Sequence, residues 1–344
     1  MNRPTLRDVA ERAGVSVSAV SYALNDNSDF PLAESTRSRI RRIAREIGYV
    51  PNSLARSLRQ RAARLIGVIL DKPLSYPRYA AIAEGLAQGV AEEGYQLMFL
   101  ATRDHQAGVD AVRGGQLDGL VFVGHDDHAV PAELAAAVAE HAIPFAAIDC
   151  GHAGGGVPYS SVDFDYARGV ELVIGRLVEE GVRTVHYVRP EIVSHAERVR
   201  EQAMFHELSA RPDVAIHVLQ TAVTSEKLAE LDRTPQDDSR YREDLAGRVA
   251  DLLDTGTADL ERSALVCSWG ADVETVFATA RTRSAEIRVV GLAAGALDPA
   301  RWPGLSYASL PLLDGGRACA RLVVAAARDG AAPDHLLLAP TLVG

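Results

Sequence analysis

The first 48 residues carry a helical rhythm. Leu6, Val9, Ala10 and Ala13 recur at three- and four-residue spacing, which puts them on one helix face. Thr5 precedes that run and Asp8 follows three positions later, a pair whose hydroxyl and carboxylate can take up the free amide hydrogens of a first turn. Gly14 ends the run, because glycine turns left-handed without steric cost. Ser16 caps a second predicted helix with Val20, Ala23 and Leu24 inward. Val17, Ser18, Ser21, Tyr22 and Asn25 form its outward stripe. A third helix, from about Glu34 to Ile47, turns Ile40, Ile43, Ala44 and Ile47 inward and stops at Gly48. Its other face is Arg37, Arg39, Arg41, Arg42 and Arg45. Two short helices joined by a glycine turn predict a helix-turn-helix, whose second helix enters a major groove.

From Leu65 the rhythm changes to apolar strand, amphipathic helix, apolar strand. "LIGVIL", "YQLMFLA", "GLVFVG", "PFAAID", "TVHYVR", "AIHVLQ", "SALVCSW" and "IRVVGLA" read as strands. Helical stretches such as Tyr79–Glu93, Ala132–Glu140, Ala167–Glu180 and Tyr241–Leu253 lie between them. This alternation predicts parallel sheets covered by helices. About eight strands call for two such units, and the cleft between them is the usual ligand position.

Charge separates the same two regions. Residues 1–64 hold twelve arginines, no lysine and six acidic residues, a net +6, whereas the remainder is at −16. A basic head on an acidic body implies that the head meets a polyanion and the body does not. Beside a helix-turn-helix, the arginine face of the third helix then reads as phosphate-contacting. The three cysteines, 150, 267 and 319, are widely spaced and form no metal or redox pair, as expected of a reduced compartment. No apolar run approaches the roughly 20 residues of a membrane span and no leader precedes Arg3, so a soluble cytoplasmic protein without membrane contact is expected.

Catalytic chemistry finds little support. His125, Asp126, Asp127 and His128 are adjacent in one loop and do not converge as metal ligands should. The glycines of "CGHAGGGVP" lead into Val157-Pro158 and do not open a helix as a phosphate loop would. No G-x-S-x-G elbow, Walker sequence or H-E-x-x-H is present. The chain is not expected to be an enzyme or to need a cofactor or metal.

"TLRDVAERAGVSVSAVSYALN", "STRSRIRRIAREIGYVPNSLARSLR" and "LIGVIL" closely resemble the start of the LacI/GalR family of bacterial transcription regulators, densely over about 70 residues and more thinly beyond. The resemblance implies a small all-α helix-turn-helix head (1–50) and a hinge helix (51–64). An α/β two-lobed, periplasmic-binding-protein-like body (65–344) follows. Lobe one would take about 65–163 and 308–329, lobe two about 164–307 and 330–344, with crossings near Asp163, Ser306 and Gly330.

Function follows as implied by the same resemblance: a homodimeric repressor on double-stranded, pseudo-palindromic operator DNA. Thr5, Leu6, Ser16, Thr36, Tyr49, Asn52 and Arg56 join the outward stripe as contact positions, and Leu58 stands where the family wedges a leucine into the minor groove. Tyr22 departs from the arginine usual there; a phenol cannot make arginine's bidentate contact to guanine, so a different half-site is expected. Ala33 replaces a frequent capping serine.

A small-molecule effector is expected between the lobes, lined by Asp149, Arg200, Trp269 and Tyr76, with Arg198 as a rival register for Arg200. Trp269-Gly270 stands in place of the family's Asn-Asp pair and Ala293 in place of an aspartate, so a common free sugar is not the expected ligand. The acidic stretch around 224–244 reads as an exposed insertion, and "LLLAPTLVG" offers no trailing heptad helix for a tetramer. Two rivals stand beside this reading: a DNA-binder with an empty cleft governed by a protein partner or by abundance, and a ligand sensor whose N-terminal helices only dimerise.

Overall fold

The computed structural model describes residues 4–24, 32–49, 63–100, 105–124, 129–151, 156–191, 194–221, 223–224, 226–227, 230, 239–255, 259–268, 272–283, 286–294 (backbone only at 293–294) and 302–344. It divides into two compact units, Met1–Ala63 and Arg64–Gly344. Asn25, Asn52, Arg56, Leu58 and Trp269 lie outside the described residues, as do 125–128 and much of 224–244.

Among the described residues the head holds three helices: α1 (Leu6–Ala13), α2 (Val17–Leu24) and α3 (Glu34–Glu46). Thr5 and Asp8 form a reciprocal capping box. The Thr5 amide donates to Asp8 Oδ2 at 2.7 Å and the Asp8 amide to Thr5 Oγ1 at 3.4 Å. Gly14 closes α1 in the left-handed region at φ 63°, and Ser16 Oγ accepts from the Ala19 amide at 3.1 Å to open α2. Ala33 gives α3 no side-chain cap. Val9, Ala10, Ala13, Val20, Ala23, Ile40, Ile43 and Ala44 make one buried core.

The body consists of two six-stranded sheets. Lobe one is built on β1 (Leu65–Ile69), β2 (Gln96–Leu100), β3 (Gly119–Val123), β4 (Phe145–Ile148), β5 (Ser160–Phe164) and β11 (His335–Leu338), in the order β11-β5-β4-β3-β1-β2, all parallel. Lobe two is built on β6 (Thr184–Arg189), β7 (Ala215–Gln220), β8 (Ser263–Cys267), β9 (Arg288–Ala294), β10 (Ser306–Ser309) and β12 (Thr341–Val343), in the order β12-β10-β9-β8-β6-β7. β12 alone in that sheet runs antiparallel to its neighbour. β3 and β4 are apolar throughout because helices cover both faces of a parallel sheet.

In lobe one, α4 (Pro77–Glu92) and α11 (Leu312–Asp329) pack on one face, α5 (His105–Arg113) and α6 (Ala132–Glu140) on the other. In lobe two, α7 (Tyr166–Glu179) and α8 (His195–Ser209) face α9 (Ser239–Asp254) and α10 (Val273–Thr282) across the sheet. The α4–α11 crossing is close: a Cβ on Gly316 would lie 2.3 Å from the Ile82 carbonyl oxygen, and one on Gly85 2.1 Å from that of Leu313.

The chain passes between lobes after Phe164, after Ser309 and after Leu338. The third position corrects the sequence expectation. Gly330 is the left-handed C-cap of α11 at φ 61°, not a crossing, and β11 beyond it returns to pair with β5. Residues 330–338 therefore belong to lobe one. The second crossing likewise follows Ser309, since β10 pairs along its length with β9.

Candidate functional site

On the head, α2 presents Ser16, Val17 and Ser18 to solvent, with Val17 44% exposed, while Ser21 and Tyr22 are half-buried along the same stripe. An isoleucine-lined core would explain an inward valine; an exposed one beside two serines has no packing role. Thr5 is exposed but its hydroxyl serves the α1 cap. That hydrogen bonding holds the Asp8 carboxyl below the ordinary carboxylate range. Leu6 and Tyr49 are half-buried against the head core, and Thr36 is half-buried.

The arginine face of α3 divides. Arg37 Nη1 donates to the Tyr22 carbonyl at 3.5 Å and Arg41 Nε to that of Ala23 at 3.3 Å. Both cations thus sit on the last carbonyls of α2, where the helix dipole favours positive charge. They tie α3 to the C-terminal end of α2, a role that the phosphate reading of this face did not include. Arg39, Arg42 and Arg45 are exposed, with Arg42 paired to Glu46 at 2.8 Å.

In the body, the expected ligand positions Asp149 and Arg200 come together through two residues the sequence reading did not select. Asp149 follows β4 in the left-handed region, φ 62°, a conformation uncommon outside glycine. Buried Asp163 stabilises the turn: its Oδ1 accepts from the Cys150 and Gly151 amides at 2.8 and 2.7 Å. The turn aims the Asp149 carboxylate at Arg78, in the first turn of α4, and at Tyr166, the first residue of α7. Arg78 Nη2 pairs with Asp149 Oδ2 and donates to Tyr166 Oη at 2.5 Å; Tyr166 Oη donates to Asp149 Oδ1 at 2.5 Å. Burial is the largest single influence and opposes the Arg78 charge, but the Asp149 carboxylate together with Tyr166 and Tyr79 outweighs it, so the guanidinium holds its proton more tightly than a free one. Burial pushes the Tyr166 phenol up, which keeps it a donor.

Arg200 of α8 lies over the other side of this cluster, its guanidinium 4.2 Å from the Tyr166 ring centroid. It is 1% exposed, whereas Arg198 is exposed. The Glu197 carboxylate stands 4.0 Å from Nη1 and is itself occupied: Tyr187 Oη donates to one oxygen at 2.6 Å and Ser268 Oγ to the other. Nε and Nη1 of Arg200 meet no hydrogen-bond partner among the described residues. Tyr76, two residues before Arg78, packs against the same core as Tyr166 and stands edge-on to Tyr79 at 6.2 Å between ring centroids. No group of three or more His, Cys, Asp or Glu side chains is placed to hold a metal among the described residues.

The model of bacterial regulatory proteins of the lacI family matches residues 5–52. The ribose operon repressor of Bacillus subtilis is 42% identical over 95 residues, 28% of each chain. The HTH-type transcriptional regulator PtxS of Pseudomonas aeruginosa is 31% identical over 229 residues, 64% of each. The chain thus matches less than two-thirds of the length of these curated relatives. Among solved structures, the lac repressor dimer bound to operator and the anti-inducer ONPF superposes with a TM-score of 0.73 at 19% identity, covering 100% of this chain and 98% of that one. The CelR–cellobiose complex superposes at 0.61 and 21% identity, covering 99% of each. The lacI-family model thus covers the head, and the body shares the two-lobed fold of these solved structures.

Proposed function

We propose that the chain is a sequence-specific transcription regulator, a repressor that acts in the cytoplasm as a homodimer on a pseudo-palindromic operator and answers a small molecule between its lobes. The exposed Ser16-Val17-Ser18 edge of α2, within the matched segment 5–52, carries this reading. Ser18, Ser21, Tyr22 and Asn25 would reach base edges from the major groove, while Arg39, Arg42 and Arg45 of α3 remain exposed for phosphates. Thr36, Asn52 and Arg56 are proposed backbone contacts, and Leu58 a minor-groove wedge.

Ligand binding between lobes would bias how the two copies present their heads, which requires unequal affinity for the two arrangements. No catalytic role is proposed. Among the described residues no helix is long and apolar enough to cross a membrane.

Selection of bound duplexes from random DNA tests the reading. A recovered palindrome whose binding weakens steeply with salt supports it. Equal recovery of all sequences, or a monomer at working concentration, would end it. Leu58→Ala should weaken the selected site far more than random DNA; equal loss on both removes the wedge.

A further inference from the structure

The interlobe cluster has a partner on every carboxylate oxygen and, among the described residues, keeps unpartnered donors. Both Asp149 oxygens are engaged, one by Arg78 and one by Tyr166. Both Glu197 oxygens are engaged, by Tyr187 and Ser268. Two nitrogens of the buried Arg200 guanidinium remain unfilled among the described residues. A buried cation with unmade hydrogen bonds is costly, and such groups in native proteins call for a specific reason.

What would complete this cluster must bring acceptor oxygen. A neutral polyol brings hydroxyls that also need acceptors, and Asp149 already spends one hydrogen bond per oxygen, and the charge of its carboxylate, on Arg78 and Tyr166. A carboxylate or phosphate brings acceptors alone and compensates the cation, in hydrogen bonds about twice as strong as neutral ones. Arg78 is thus the residue that decides the character of the site. With an uncharged side chain there, the Asp149 charge would face hydroxyl donors uncompensated; with arginine, that charge is neutralised and Arg200 sets the sign of the site.

We propose that the effector of this chain carries an anionic oxygen group, a carboxylate or a phosphate, seated on Arg200, and that Arg78 determines this selectivity by occupying Asp149. The proposal rests on the reading that the interlobe site binds a small molecule.

Thermal unfolding of the full chain at constant ionic strength tests it, with inorganic phosphate replacing chloride and with three matched pairs: glucose and gluconate, glucose and glucose 6-phosphate, glycerol and glycerol 3-phosphate. The acidic members, or phosphate itself, should raise Tm, by about 5 °C at a hundred times Kd, while their neutral partners do not. A response to gluconate alone identifies a carboxylic acid, and a response to the phosphates alone identifies a phosphate ester. Arg200→Met should need at least about tenfold more acid for the same shift while still retarding the selected operator. Arg78→Gln, which releases Asp149, should narrow the difference between acid and neutral members.

Three results overturn the assignment: a neutral member matching its acid, an acid response undiminished in Arg200→Met, or no response to any acid including phosphate. Operator retardation on the same wild-type samples separates these failures. Stabilisation by a neutral sugar keeps the effector site and removes only the anion; operator binding with no ligand response at all removes the effector as well.

Discussion

Replacing Gly316 by alanine should loosen lobe one. The added Cβ would lie 2.3 Å from the Ile82 carbonyl oxygen, 2.8 Å from the Leu86 amide nitrogen and 3.0 Å from the Gly85 carbonyl carbon. All three are backbone atoms of α4, so none can swing away as a side chain could. Restoring ordinary contact requires α11 to move off α4 by about 1 Å, and a gap of that size forfeits up to half of the local dispersion energy. The contact lies among Ile82, Leu86, Cys319 and Ala320, all buried. Overpacking of this kind costs about 1–3 kcal/mol, and the rigid neighbours argue for the upper end. Alanine's better helix propensity returns about 1 kcal/mol. The net expectation is a loss of roughly 2 kcal/mol, or a fall in Tm of about 4–8 °C.

Gly247→Ala supplies the control, because a Cβ there meets nothing within 4 Å on α9; it should stabilise by about 0.5–1 kcal/mol. Thermal and urea unfolding followed by circular dichroism read both. Shifts of the same sign and size in the two variants would mean that α4 and α11 do not approach as described.

Three further outcomes are expected. Thr5→Ala removes the α1 cap and should destabilise the head by about 1 kcal/mol, seen as faster exchange of the Val9 and Ala10 amides; unchanged exchange would deny the cap its role. Tyr22→Arg should move the selected half-site toward guanine at the facing base, by about 1–3 kcal/mol of discrimination; an unchanged logo would take Tyr22 out of base reading. His186 is buried in β6 and stacked on His217 at 5.5 Å, and burial, then the neighbouring imidazole, hold its pKa below 6.5. Its contribution is complete above 6.5 and falls as pH drops below that value, because the unfolded chain takes the proton more readily. His186→Leu should flatten the urea midpoint between pH 5 and 7.5 relative to wild type, and parallel curves would refute this.

The head was legible because its signals are local. A cap at Thr5, a stop at Gly14 and helical spacing act within one or two turns, and α1 to α3 follow them. β1, β3, β4, β8 and β9 were legible because burial on both faces leaves nearly continuous apolar runs. β5, β10, β11 and β12 were missed for the opposite reason. "SSVDF" and "SYAS" are half polar where the chain leaves a sheet, and "HLLL" and "TLV" are too short to show a period. Gly330 looked like a boundary and was one, but of a helix. The interlobe site was half legible: Asp149 and Arg200 came from resemblance, whereas Arg78 meets its partner across 71 residues, a distance no local pattern records.

The three passages between lobes have a genetic consequence. Neither lobe is written as one continuous stretch, so neither can be excised, exchanged or expressed as a simple fragment. A stop codon near position 330 would strip β11 from one sheet and β12 from the other at a stroke, exposing a raw edge on both. Late nonsense mutations should therefore yield aggregated chains, not a shortened but folded body.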